Sequence, residues 1–263
     1  MSEPKFPPAT PLKPHRRAII VGASSGIGAA LARRLAREGY SVALLARREK
    51  HLKTLCDEIN TASGETRARY YVHDVSDYIA IPDLLQHILA DLGGLDLFIY
   101  NAGIQRFVGL DEFSFVADRE MLETNTLGAL AWLTPVAAMF HALKTGQIVG
   151  ISSVAGDRGR VGAPGYNTSK AALTTYLEAL RNRLTRRGVA VLTVKPGFVD
   201  TDILRAAGPS KPTFWVISPE QAAEGIWKAV RARKQTVYVP GQWALLMLVI
   251  RHIPSVIFRR LSF

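Results

Sequence analysis

A tyrosine and a lysine stand four residues apart in Tyr166-Asn167-Thr168-Ser169-Lys170. A serine precedes the tyrosine by thirteen residues, in Ile151-Ser152-Ser153-Val154-Ala155-Gly156. A helix beginning at Gly165 places the phenol and the ammonium on one face, one turn apart. Tyrosine alone loses its proton at about pH 10, and a neighbouring positive charge favours the phenolate. Such a pair, with a hydroxyl nearby to hold an oxygen, suits a reaction that moves a proton on or off a carbonyl or alcohol oxygen. Ser152, beside Ser153 at a strand end, should point the other way and be structural. His73 and His141 have no partner pattern and read as surface or packing residues.

A second constellation lies near the N-terminus, in Val21-Gly22-Ala23-Ser24-Ser25-Gly26-Ile27-Gly28. It follows an apolar run and opens a helical one. Glycine lets the backbone turn tightly and approach a pyrophosphate, and the helix start offers free N–H groups and a positive dipole end. The spacing is GxxxGxG, not the GxGxxG of two-domain dehydrogenases. The second apolar run ends at Ala46-Arg47-Arg48, with no acidic residue to hold an adenosine ribose diol. Arg47 and Arg48 can instead pair with a 2′-phosphate, which points to NADP(H); the alternative is two solvated arginines at a helix start. Asp74, with Val75 beside it, can meet an adenine amino group or cap the next helix.

These residues need a scaffold, and the hydrophobic pattern supplies one. Apolar runs at 17–22, 41–46, 69–73, 96–100, 147–151, 190–195 and 236–239 alternate with helical patterns at 26–38, 49–63, 79–92, 118–143, 165–187 and 219–233. Seven strands separated by helices predict a parallel, doubly wound α/β sheet. Ligands in such sheets bind at the carboxyl ends of the strands, where every motif above falls.

The chain has 263 residues, 48% of them hydrophobic and 21% charged, which suits one domain with a large core. The single cysteine, Cys56, excludes an intrachain disulfide, no Cys/His cluster suggests a metal, and a reducing cytoplasm is expected. The net charge of +11 raises nucleic acid as a partner, but the basic residues are scattered and no recognition motif accompanies them. Nucleic acid is therefore not expected; phosphate-bearing cofactors and anionic lipid headgroups are better matches. Five prolines in the first fourteen residues read as an extended arm over 1–15, without the apolar core of a signal peptide.

Taken together, the motifs resemble the short-chain dehydrogenase/reductase family over residues 16–240. Carrying the resemblance are Gly22, Gly26 and Gly28, the Asn101-Ala102-Gly103 turn, Asn125 in the long helix, Ser153, Tyr166 with Lys170, and Pro196-Gly197 followed by Thr201. It implies a single-domain, Rossmann-type, seven-stranded parallel sheet and hydride transfer between a nicotinamide and a carbonyl/secondary-alcohol pair. In that scheme Tyr166 exchanges the proton, Lys170 lowers its pKa and holds the nicotinamide ribose, and Ser153 holds the substrate oxygen. Asn125 holds a water that links Lys170 to solvent; Thr201 and the backbone near Val199 fix the carboxamide. Two positions depart from the pattern. Val21 replaces a threonine that ties the glycine turn to Asn101-Ala102-Gly103, so that tie is expected to be lost. Tyr100 replaces a first asparagine. Homodimers or homotetramers through the helices at 118–143 and 165–187 are implied as well.

The substrate side is expected from 155–164, from a loop over 202–217 containing Pro209, Pro212, Phe214 and Trp215, and from an extension over 241–263. The loop reads as a mobile lid with aromatic lining, favouring an apolar substrate. The extension, Trp243 to Leu261, is apolar with Arg251, Arg259 and Arg260, and Arg251 and Pro254 interrupt it too early for a membrane span. It suits a helix lying on a membrane surface, a gate for lipid, or an arm packed on the core or another subunit. Lipid-acting members similar to 3-ketosphinganine reductase have comparable ends, so a lipophilic ketone is a substrate to test. The alternatives are a nucleotide-sensing or membrane-docking protein that keeps the fold, and a non-redox epimerase or dehydratase.

Overall fold

A computed structural model describes residues 16–208 and 214–261. The proline-rich arm, and Pro209 and Pro212 of the substrate loop, lie outside the described residues. Strands β1 (Arg17–Val21), β2 (Ser41–Ala46), β3 (Ala68–Val72), β4 (Leu97–Tyr100), β5 (Gln147–Ile151), β6 (Ala190–Pro196) and β7 (Thr236–Val239) form one sheet. All neighbours are parallel, in the order β3-β2-β1-β4-β5-β6-β7. The chain starts in the middle at β1, runs outward to β3, then returns to β4 and runs outward the other way. The reversal between β1 and β4 opens a crevice at the carboxyl ends of those strands. The predicted seven-stranded doubly wound fold is borne out.

Strand side chains alternate between two helical layers, because successive residues point to opposite faces. Ile20, Leu44 and Ile99 face α1 (Gly26–Arg37), α2 (Glu49–Ser63) and α8 (Pro219–Arg231), where they meet Leu31, Leu52 and Ile226. Ile19, Leu45 and Phe98 face α3 (Ile81–Leu92), α5 (Gly128–Leu143) and α6 (Pro164–Leu184), against Ile88, Trp132 and Leu177. Each such side chain contributes about 1.5–3 kcal/mol by leaving water, which outweighs local propensity and fixes the register. Helix starts follow local chemistry. Pro164 and Pro219 stand in first turns, where a missing N–H costs nothing. Ser218 and Gln221 cap α8 reciprocally.

The long helix read over 118–143 is not one regular helix. It begins at Phe115, runs as α4 (Phe115–Leu122), and widens into a π turn over Glu123–Leu127 before α5. Tertiary bonds hold that turn. The Tyr100 hydroxyl donates to the Thr124 carbonyl at 2.6 Å, and the Thr126 hydroxyl to the Ser169 carbonyl at 3.1 Å. Sequence periodicity cannot register a turn widened by partners from other elements, and such turns concentrate at functional sites.

Beyond a cis Val239–Pro240 bond the extension folds as α9 (Gln242–His252) and α10 (Ser255–Phe258). Trp243, Met247 and Ile250 of α9 are buried against Val154, Phe198 and Tyr238. Of the readings of this segment, packing on the domain's own core describes one face of α9; Leu245, Leu248 and Val249 on the other face are exposed. Beneath α9, Lys195 is paired with Asp157, whose second oxygen accepts from the Tyr238 hydroxyl at 2.6 Å.

Candidate active site

A cavity of about 870 Å3 opens at the carboxyl ends of β1, β4, β5 and β6. Every residue predicted for the site lines it except Gly28 and Asn125, which stand behind the lining. At one end lies the glycine turn. Gly22 has φ +87, and a Cβ there would overlap the Ala102 backbone, so the two turns touch main chain to main chain. The Gly22 and Ala23 N–H groups donate to the Leu45 carbonyl at 2.8 and 3.0 Å. Asn101 Nδ2 donates to the Gly22 carbonyl at 2.7 Å. The tie expected to be lost with Val21 is therefore made from the opposite side, by the first residue of the Asn101-Ala102-Gly103 turn.

Gly26 and Ile27 start α1, whose first turn carries no acidic residue. Across from it, Arg48 donates to the Ser24 hydroxyl at 3.0 Å and lies 3.3 Å from Asp202. Arg47 reaches Asp74 at 3.5 Å. Asp74 also accepts from the Ser76 N–H at 3.0 Å and from its hydroxyl at 2.7 Å. Burial pushes the Asp74 carboxyl up, but the Ser76 bonds and the Arg47 charge outweigh it and hold the group below its ordinary value. Val75 is buried and packs toward Gly128. Here hydroxyls, two guanidiniums and an open helix N-terminus can receive phosphate groups.

At the other end, α6 brings Tyr166 and Lys170 under Ser153. The Ser153 hydroxyl accepts from the Ala155 N–H at 3.1 Å and meets the Tyr166 phenol. Lys170 Nζ donates to the Ile151 carbonyl at 3.0 Å and lies 5.8 Å from the Tyr166 ring centroid. Burial pushes the Tyr166 phenol up; the bond to Ser153 and the charge of Arg160 pull it down without overcoming burial. Burial drops the Lys170 amine to about 8, and the guanidinium of Arg160 adds a positive charge acting on the phenol that the motif spacing did not indicate.

Asn125 is fully buried. Its Oδ1 accepts from the Ile104 N–H at 2.7 Å, and its Nδ2 donates to the Ile104 carbonyl at 2.9 Å and to the Ser169 hydroxyl at 3.0 Å. Both amide hydrogens are committed, so the side chain is a clamp joining the π turn to α6 and to the irregular segment after Gly103. The Ser152 hydroxyl bonds the Lys170 carbonyl at 2.9 Å and the Thr174 hydroxyl at 2.7 Å. His73 is buried edge-on to Trp132, and burial lowers its imidazole. His141 is half-buried in the last turn of α5.

The remaining wall follows β6. Pro196 ends that strand, and a Cβ on Gly197 would overlap the Trp243 indole, so α9 sits directly on the turn. Val199 forms a bridge with Ile217, closing the base of the 202–217 loop. Thr201 donates to the Val199 carbonyl at 3.2 Å and precedes the short helix α7 (Asp202–Arg205). Phe198, Phe214, Trp215 and Trp243 cluster with ring centroids 5.2–6.0 Å apart. Sequence reasoning missed Asp202, Arg160, Ser169 and the seating of Trp243 on Gly197. An acidic residue directly after Thr201, which pairs with the distant Arg48 and the local Arg205, was the signal available for the first; the others depend on contacts no local pattern encodes.

A family model described as short chain dehydrogenase matches residues 16–212. An uncharacterized oxidoreductase of Myxococcus xanthus (strain DK1622) is 34% identical over 244 residues, 93% of this chain and 95% of its own. An alcohol dehydrogenase from the archaeon Thermococcus sibiricus, solved with 5-hydroxy-NADP, superposes with a TM-score of 0.77 at 28% identity, covering 85% of this chain and 95% of its own. A short-chain dehydrogenase from Sphingobium yanoikuyae, solved with NADPH, has a TM-score of 0.78 at 25% identity, covering 91% and 97%.

The buried amine predicts a pH signature. Lys170 keeps its proton to about pH 10.5 when unfolded, but only to about 8 in the fold. Between those values the unfolded state binds more protons, so stability contributed at this site rises with pH. Lys170→Met should therefore gain stability over the parent at pH 7, and the gain should shrink by about 1–3 kcal/mol as pH rises toward 10. Urea denaturation of both proteins across that range reads the difference; a pH-independent difference would show that the amine titrates normally.

Proposed function

Because this chain belongs to the short-chain dehydrogenase family, we propose that it is an NADP(H)-dependent oxidoreductase interconverting a carbonyl compound and a secondary alcohol. The observation that carries the proposal is one continuous cavity with Arg47 and Arg48 at one end and Ser153, Tyr166 and Lys170 at the other. The residues present fit a phosphorylated dinucleotide. The α1 N-terminus is free of acidic residues, and Ser24, Ser25 and two guanidiniums face it. The acids in that region, Asp74 and Asp202, are themselves paired with those arginines. NADP-bound complexes of similar proteins support the same reading. Gly22, Gly26 and Gly28 shape the pyrophosphate turn, with Val75 and Asn101-Ala102-Gly103 along the adenosine side. Lys170, Pro196, Gly197, Val199 and Thr201 line the nicotinamide side.

The bound cofactor supplies the hydride chemistry. The chain holds the carbonyl oxygen with the Ser153 hydroxyl and gives it a proton from the Tyr166 phenol, whose raised pKa keeps it protonated at neutral pH. Lys170 keeps an ammonium beside the ribose position, and Asn125 positions α6 through Ser169. The aromatic cluster and the α9 face support an apolar substrate.

Cofactor oxidation by the purified chain, with NADPH and NADH in parallel across ketones of graded chain length, tests this. Turnover should require NADPH. Tyr166→Phe should lower it about 100-fold or more with NADPH binding retained. Arg48→Ala should weaken NADPH about 10- to 100-fold and leave NADH unchanged. Preference for NADH would remove the assigned role of the arginines. Cofactor binding without turnover of any ketone would favour a nucleotide sensor, and product formation without net NADPH consumption an epimerase or dehydratase.

Two partner readings accompany this one. Exposed Phe115, Val116 and Leu127 on the α4–α5 face support a homodimer or homotetramer, which light scattering should read as two or four times the chain mass. The outer face of α9 and α10 exposes Leu248, Val249, Val256 and Ile257 beside Arg251, Arg259 and Arg260, supporting docking on an anionic membrane surface. The chain should co-sediment with phosphatidylglycerol vesicles, not with phosphatidylcholine, and Leu248→Glu should release it. Recovery in the supernatant with both lipids would overturn the docking.

A further inference from the structure

Among the described residues that line the cavity, one cation has no carboxylate counterpart. Arg47 and Arg48 meet Asp74 and Asp202, and Arg106 meets Glu120 at 2.7 Å. Arg158 donates to the carbonyls of Ile250 and Ile253 and lies under the Phe258 ring, tying α9 and α10 to the loop after β5. Lys170 has the Ile151 carbonyl. Arg160 lines the same cavity, yet its Nε is buried without a hydrogen-bond partner. Among the described residues no carboxylate pairs with it, and the titratable group it acts on is the Tyr166 phenol. Both acids in the lining, Asp74 and Asp202, are at the glycine-turn end.

The residue is half-buried, with its Nε held out of water and its terminal nitrogens left to the cavity; a buried donor without an acceptor is costly, and a ligand that completes it offsets that cost. The planar guanidinium fork matches an oxyanion with two equivalent oxygens. The same cavity has an apolar wall: Val154, Phe198, Trp243, Leu246, Met247 and Ile250. Resting on the reductase reading, we propose that the substrate is an anionic amphiphile, a carbonyl compound bearing a carboxylate or phosphate monoester that Arg160 binds, with its apolar chain along α9. Arg160 is then the specificity-determining residue of the site. The hydride and the Tyr166 proton go to the carbonyl as before, and the oxyanion takes no part in bond making.

The test uses the full chain and decanoic acids bearing one ketone at successive positions, each against its methyl ester and against the matching oxoalkyl phosphate. With NADPH, kcat/KM for the best anion should exceed that of its neutral ester about 10- to 100-fold. Arg160→Met removes a charge that also acts on the Tyr166 phenol, so it should lower turnover of both, but it should lower kcat/KM for the anion about 10- to 100-fold more than for the ester and so abolish the preference; Arg160→Lys should keep part of it. Comparing the acid with the phosphate identifies which oxyanion fits. Binding is read separately: quenching of tryptophan fluorescence, with Trp243 in the wall, by decanoate and by methyl decanoate needs no turnover. Selective quenching by decanoate, lost in Arg160→Met, supports the proposal even if no ketone is reduced, in which case the reductase reading alone fails. Equal handling of anion and ester, or an Arg160→Met variant that lowers both alike, overturns it and leaves the arginine acting only through the Tyr166 phenol.

Discussion

A lysine amine held out of water by one neutral acceptor sets the terms for this molecule. An ammonium leaves bulk solvent at high cost unless its surroundings are fixed to receive it. The Lys170 Nζ finds the Ile151 carbonyl only because α6 is pressed against the carboxyl end of β5. That contact is built from several independent constraints. Ser152 bonds the Lys170 carbonyl, Gly156 leaves room for the Lys170 main chain, and Asn125 and Thr126 reach across from the π turn to Ser169. Remove the parallel order of the sheet, and β5 no longer ends on the same side as β1 and β4, where a nucleotide would lie.

The two ends of the cavity use charge differently. At the glycine turn, positive side chains are balanced by Asp74 and Asp202, so the region is held together before any phosphate arrives. At the other end, the aromatic and aliphatic wall of α9 lies in the same cavity as Arg160, a guanidinium that no carboxylate among the described residues balances. The phenol of Tyr166 lies between these regimes, pushed up by burial and pulled down by that guanidinium.

The scaffold was legible because apolar runs and turn residues act locally. β2, β5, β7 and α2 end at the residues that alternation alone indicates, and β3 is displaced by one residue because Ala68 joins it and His73 does not. Motif spacing was enough to gather the candidate site residues at one cavity. It was not enough to assign their contacts. Asn125 read as a water holder has its amide engaged by Ile104 and Ser169, and the π turn around it depends on Tyr100, a departure from the family pattern. The partners of Arg158 and the isolation of Arg160 are facts of three dimensions, since two arginines one residue apart in a loop carry no sign of which will be satisfied.

The seating of Trp243 on Gly197 joins two parts of the chain with unlike duties, a cofactor-side turn and a substrate-side wall. Neither position can vary freely: a side chain at 197 and an indole at 243 compete for the same space. Drift in this lineage is therefore expected to keep the pair together or exchange both in concert. New substrate preferences would accumulate one turn further along α9, at Leu246, Met247 and Ile250, where a change reshapes the wall without unseating it.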